Sequence, residues 1–333
     1  MKKVTITIFF LITLLAAQAQ FIDPGYISVT INVSTAGTLS TLISDNDKLK
    51  ISKLTLTGNI DARDLSFLYY LYNLSTLDIS DVDILEYKGI TISHPFIYSE
   101  TLYPANEMPP YSFVYKDYNS TLKFLILPKS LKSISKYALY DCRGLTDITL
   151  SDSIVSIGEH AFYTCLLLKN INLPSSITTI GENAFFGCTE INSVIIPNNV
   201  TKIASGTFGY CRNLTSITLP ANLTSIGSNV FVNCYSLESI YAYPITPTNI
   251  NTSATAFDGI EKTNCTLYIP KGSKIAYQSE FQWKDFKNIE EIPTGIKSIE
   301  QSEINIKVDN GKLIIENANV DDKVEIYDFC GKK

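Results

Sequence analysis

Five cysteines, Cys142, Cys165, Cys188, Cys211 and Cys234, recur along the chain at one constant interval. Thiols so placed invite a disulfide, a metal centre or a nucleophile. If equal spacing means equal places in successive coils, their Cα atoms stack ~4.8 Å apart, within disulfide range. Parallel Cβ vectors, however, stay near that separation instead of closing to the ~3.8 Å a disulfide prefers. A line of sulfurs does not make the tetrahedron that zinc needs. The expectation is buried free thiols acting as small hydrophobes. Cys265 and Cys330 fall outside the file and are expected to be partly exposed.

The other chemistry-bearing residues are sparse. The two histidines, His94 and His160, lie far apart in sequence and have no recognisable Ser or Cys nucleophile, too few parts for His-dependent acid–base or zinc chemistry. His160 is read as surface decoration, because equivalent places in other repeats carry Tyr137 and Asn183. Asp45-Asn46-Asp47, Asp81/Asp83 and Asp321-Asp322 lack the 12-residue calcium loop with its glycine and terminal Glu, and read as turns. Asn213-Leu-Thr215 matches a glycan acceptor only by coincidence of an Asn/Thr-rich repeat. No catalytic residue, metal ligand or cofactor is expected, and the chain is not read as an enzyme. With 27 Lys+Arg against 33 Asp+Glu, a net charge of −6, it carries no electrostatic footprint for nucleic acid.

What positions these residues is a 333-residue chain, 45% hydrophobic and 18% charged, with material for a large core. Residues 1–19 read as a signal peptide: Lys2 and Lys3, an apolar run from about Ile6 to Ala17, and Ala17-Gln18-Ala19 before the cut. No later stretch reaches the ~20 apolar residues of a spanning helix, so no transmembrane segment is expected.

The interval, 23 throughout, governs more than cysteine. It links Ile134, Ile157, Ile180, Ile203 and Ile226, and likewise Leu139, Phe162, Phe185, Phe208 and Phe231. Leu145, Leu168, Ile191, Leu214 and Leu237 form a further file, followed by the pairs Ile148/Leu150, Ile171/Leu173, Val194/Ile196 and Ile217/Leu219. So many apolar columns cannot all point inward from one helix or hairpin. They can if each period is one coil of a stacked solenoid, where neighbours bury each other's columns. The alternation Ile171-Asn172-Leu173 predicts a short strand, and stacked strands predict a parallel sheet along one face. Prolines such as Pro174, Pro197 and Pro220 end the strands, and Gly158 to Phe162 and Gly181 to Phe185 read as turns on the opposite face.

The unit LKNINLPSSITTIGENAFFGC from Leu168 resembles the BspA-like leucine-rich repeat, found in surface proteins of Bacteroidota and some parasitic protists. The resemblance is strong over about Leu122 to Ala242. It implies a β-rich α/β solenoid, a leucine-rich repeat with a parallel sheet along one face, plus a small partial C-terminal β-domain. Residues 20–120 are read as divergent N-terminal coils with a Tyr/Pro-rich insertion, 121–245 as the regular repeats, and 246–293 as the last coil and cap. Leu54-Thr-Leu56 and Leu77-Asp-Ile79 mark opening coils, Met108 to Phe113 a degenerate one, and Trp283 with Phe286 the plug of the last coil. Residues 294–333 offer a hairpin, Ile304–Val308 and Leu313–Ile315 around Asn310-Gly311, then a third strand at Val324, Ile326 and Phe329. They resemble the front of the type IX secretion sorting domain but stop at Gly331-Lys332-Lys333, about half-way through it.

By alternation, Asn170, Ser193, Ser216 and Ser239 form one outward row of the sheet and Asn172, Ile195, Thr218 and Tyr241 the next, with Tyr243 adding aromatic area. This neutral, hydroxyl-rich face is the candidate binding surface for an extracellular protein or glycan ligand. The resemblance implies a secreted or cell-surface protein for adhesion to host or neighbouring cells. The alternative is a structural envelope protein that self-associates without a foreign ligand, with the insertion around Tyr98 to Tyr118 as contact element.

Overall fold

The computed structural model describes residues 25–91, 100–113 and 121–292, and the backbone of two strands, Asn305–Asp309 and Lys312–Glu316. The chain divides into a unit ending at Glu291 and a second unit beginning at Ile292. The signal peptide, His94, Asp321-Asp322, Cys330 and the third C-terminal strand lie outside the described residues. In the second unit the two described strands pair antiparallel, Asn305 opposite Glu316 and Asp309 opposite Lys312.

The first unit is the expected β-rich leucine-rich-repeat solenoid of parallel strands. Three long strands open it: β1 (Ile27–Val33), β2 (Ile51–Ile60) and β3 (Thr76–Ile84). The ladder continues through Phe124–Ile126 to Asp147–Thr149. A second parallel sheet carries Ser193–Ile195, Ser216–Leu219, Ser239–Ala242, Thr266–Ile269 and Asn288–Glu291. Two-residue strands such as Ser156–Ile157 and Ser225–Ile226 build narrow ribbons on another side of each coil. An antiparallel pair, Tyr87–Gly89 with Thr101–Tyr103, rises from the insertion.

The strand expected at Ile171–Leu173 does not form. Only the Lys169 N–H ties this segment to the previous coil, through the Thr146 carbonyl at 3.3 Å, and Ile148, Leu150 and Leu173 are only partly buried there. The paired coils carry Ile195, Thr218 or Tyr241 at the second outward place, whereas here Asn170 and Asn172 flank Ile171. Asn is depleted in strands where β-branched and aromatic residues are favoured, so local propensity overrides the apolar alternation. The sheet is therefore in two parts.

The apolar files form the core. Phe162, Phe185, Phe208, Phe231 and Phe257 stack in sequence with centroids 5.0, 5.7, 6.3 and 5.8 Å apart. Trp283 and Phe286 close this stack edge-on against Phe257, and Tyr277 from the helix Lys274–Ser279 packs edge-on against Trp283. The cap thus hides the end of a file that would otherwise face water. At the other end, Asp61 and Asp64 cap the helix Ala62–Phe67. The buried Asp64 carboxylate accepts the N–H groups of Gly37, Leu39 and Asp61, joining that helix to the loop after β1.

Two backbone places in each coil are left-handed. One carries Tyr137, His160, Asn183, Gly206 and Asn229, the other Asp141, Thr164, Gly187, Tyr210 and Asn233. The turns on the face opposite the sheet depend on them.

Candidate functional site

The five cysteines of the file are free and fully buried. Each S–H donates to a backbone carbonyl of the preceding coil: Cys165 to Leu139, Cys188 to Phe162, Cys211 to Phe185 and Cys234 to Phe208, at 3.0–3.3 Å, and Cys142 to Phe113 at 3.5 Å. Burial pushes the Cys142, Cys188 and Cys211 thiols well up and brings Cys234 to about 12. These groups are therefore donors and packing volume, not nucleophiles. Cys265, expected to be partly exposed, is fully buried just before the strand Thr266–Ile269, and burial raises it to about 12.

His160 is not surface decoration either. Its ring stacks on Tyr137 at 4.8 Å and 8° and its Nε2 lies 3.3 Å from Asn183 Nδ2. Glu159 Oε1 approaches Nδ1 to 3.1 Å, off the line of a hydrogen bond. Tyr111, Tyr137 and His160 form one file of stacked rings on the turn side. Tyr140, Tyr163 and Phe186 form another, which Tyr210 joins at a tilt. Asp81 and Asp83, expected in a turn, lie on β3, and Asp81 pairs with Lys129 at 2.8 Å. Among the described residues no group of three or more His, Cys, Asp or Glu side chains is placed to hold a metal.

The outward sheet rows are partly assembled. Ser193, Ser216 and Ser239 pair in register, and Thr266 and Asn288 continue their row. Ile195, Thr218 and Tyr241 make the next, continued by Tyr268 and Glu290. Asn170 and Asn172 are exposed but stand outside the ladder, in the segment that forms no strand. Tyr243 is exposed one residue past its strand, where its N–H donates to the Leu219 carbonyl at 3.3 Å.

Tyr268 is the residue that interval counting misses. It follows Tyr241 by more than one period, yet the rings stack at 4.7 Å and 10°. Its place between Leu267 and Ile269 carried the signal, since alternation alone turns it outward. Burial first, then the Glu290 charge and Tyr241, push its phenol up. The surface so built is a hydroxyl row beside a row that runs from Ile195, 70% exposed, through two stacked tyrosines to a carboxylate. Such a surface offers hydrogen-bonding groups and flat apolar area.

Coils that repeat mostly at one interval, stacked by matched files and faced by parallel sheets, define a leucine-rich-repeat solenoid. The chain belongs to the family described as BspA type Leucine rich repeat region, which matches in six copies over residues 107–238 and 202–315. No curated protein sequence matches it. Among solved structures it is similar to a leucine-rich repeat protein of T. pallidum, 29% identical over 35% of this chain and 57% of that one, TM-score 0.35. It is also similar to the pneumococcal vaccine antigen PcpA, 20% identical over 75% of this chain and 61% of that one, TM-score 0.45. A third is a leucine rich cell surface protein from Faecalibacterium prausnitzii, 16% identical over 75% of this chain and 66% of that one, TM-score 0.33. The matched part of this chain spans less than two thirds of the length of the first two.

Proposed function

We propose that this chain is a secreted or outer-membrane cell-surface recognition protein. It binds an extracellular protein or glycan through the outward side of the second sheet and serves adhesion to host or neighbouring cells, with no catalytic step. The observation that carries this reading is the stacked pair Tyr241–Tyr268 beside the aligned hydroxyls of Ser193, Ser216, Ser239 and Thr266. Aromatic side chains of this kind serve as anchors at recognition surfaces, and solenoids use their extended sheet faces for binding. Among the described residues no helix is long and apolar enough to cross a membrane.

Export rests on residues 1–19, with the cut after Ala19, and delivery on 294–333 acting as part of a type IX sorting domain in a Bacteroidota host. Residues 20–120, 121–245 and 246–293 serve as N-terminal coils, regular repeats and cap. The test pairs wild type with Tyr241→Ala/Tyr268→Ala and Thr218→Glu variants on extracellular-matrix proteins and glycan arrays. Loss of a wild-type signal in both variants supports the reading, and identical binding by all three removes this face from it. The reading without a foreign ligand, a structural envelope protein, is favoured by one feature, the first strand β1, which among the described residues pairs with β2 alone.

A further inference from the structure

The two ends of the solenoid are finished differently. The last strand, Asn288–Glu291, has four residues, carries Glu290 and Glu291, and is held under the cap, where the Gly272 N–H donates to Glu291 Oε1 at 2.9 Å. Short length, charge and cover are the ordinary means of keeping a sheet edge from pairing with another chain. Among the described residues β1 has none of them. It is seven residues long, Ile-Ser-Val-Thr-Ile-Asn-Val, without charge, proline or glycine, and among the described residues it pairs only with β2. Its core-side Val29 and Ile31 are only partly buried, while Ser28, Thr30 and Asn32 are exposed.

The hydrogen-bond direction of this strand is fixed by the Ile27 N–H, which donates to the Lys50 carbonyl at 2.8 Å on the β2 side. Along a parallel strand the backbone groups of alternate residues point to alternate edges. Those of Ile27, Val29, Ile31 and Val33 therefore serve β2. Those of Ser28, Thr30 and Asn32 stand on the open edge.

We propose that this edge is a self-association surface whose occupant is β1 of a second copy, paired antiparallel about a two-fold axis at Thr30. That register sets Thr30 against its own copy and Ser28 against the partner's Asn32, giving about six backbone hydrogen bonds between groups that all point outward. It sets Val29 against the partner's Ile31, so the two partly buried β-branched residues cover each other, a favoured cross-strand pair. An uncharged strand meets no repulsion from its copy, the lengths match because the strands are identical, and the contact is isologous and closes on itself. Pairing of β1 with the far edge of another copy would instead meet the cap, Glu290 and Glu291.

Sedimentation of the chain starting at Gln20, across roughly 1–200 μM, tests this at concentrations where a small interface associates. The expected result is a concentration-dependent dimer. Thr30→Pro removes an N–H that β2 does not use and is tolerated on an edge strand; Thr30→Lys places like charges at the two-fold axis. Each weakens dimerisation on the order of tenfold or more, with the thermal unfolding of the monomer unchanged. Hydrogen exchange gives a second reading, in which the amides of Ser28, Thr30 and Asn32 gain protection as concentration rises. A wild-type chain that stays monomeric, or variants that associate as wild type does, overturns the proposal. Those two outcomes point respectively to an edge covered from within the chain and to another contact surface, and neither bears on ligand binding by Tyr241 and Tyr268.

Discussion

A buried thiol is cheap to hold neutral and costly to ionise, and this chain holds a file of them. Cys234 and Cys265 are pushed from the ordinary 9.0 up to about 12 by burial. A folded-state pKa raised above the unfolded value gives a stabilising contribution that is complete below the unfolded pKa and lost as pH rises toward the folded one. The urea midpoint is therefore expected to be level in this respect up to about pH 9 and to fall from there towards pH 12. Cys234→Ala should flatten that fall; an alkaline limb identical to wild type would contradict it. The same burial predicts that Ellman's reagent finds the file unreactive in the native protein, and all seven cysteines of the chain after unfolding without reductant. At the left-handed places the strain differs by residue. Thr164, β-branched with φ of 55°, is the worst suited occupant, and Asn occupies the same file at position 233. Thr164→Asn should stabilise by about 1 kcal/mol, measured by thermal unfolding.

Strands and caps set how far each coil can be trusted to stay shut. In the gap between the two sheet parts, Asn170 and Asn172 were legible as outward positions, but their side-chain type decided against a strand and the period could not report that. Asn172→Val should draw the segment into the ladder, raising amide protection at Ile171–Leu173 and adding about 0.5–1 kcal/mol. Unchanged exchange there would show that propensity is not the cause of the gap. The cap is the opposite case, since Trp283, the chain's single tryptophan, was legible as the plug that the last coil needs over its apolar end. It is fully buried between Phe257 and Tyr277, so Trp283→Ala should cost about 3–5 kcal/mol. The loss is local: amides of Thr266–Ile269 should exchange before those of Ser193–Ile195, and uniform acceleration of both would argue for one cooperative block.

Across the whole solenoid, legibility followed the constancy of the interval. Up to Cys234 the Cys, Ile and Phe files were readable because the spacing from each member to the next stays constant, so one coil's inward places announce the others. β1 was not, because no single interval relates it to β2: Ile27 lies opposite Ile51 but Ser28 opposite Lys53, with a register shift between them. The stacked rings Tyr111, Tyr137 and His160 were hidden differently. Their column runs on into Asn183, Gly206 and Asn229, so it reads as unrelated substitutions until the rings are seen face to face. The side-chain bonds between coils share the constancy of the backbone. Thr146 Oγ1 donates to Lys123, Thr215 to Asn192 and Thr224 to Thr201, in every case to the carbonyl one period earlier. A junction that asks only for the same fittings on either side does not register how many units precede it. Duplication or loss of one whole period would leave both flanking joints as they were, so the reach of the molecule can drift in evolution while its two ends and its exposed face keep their form.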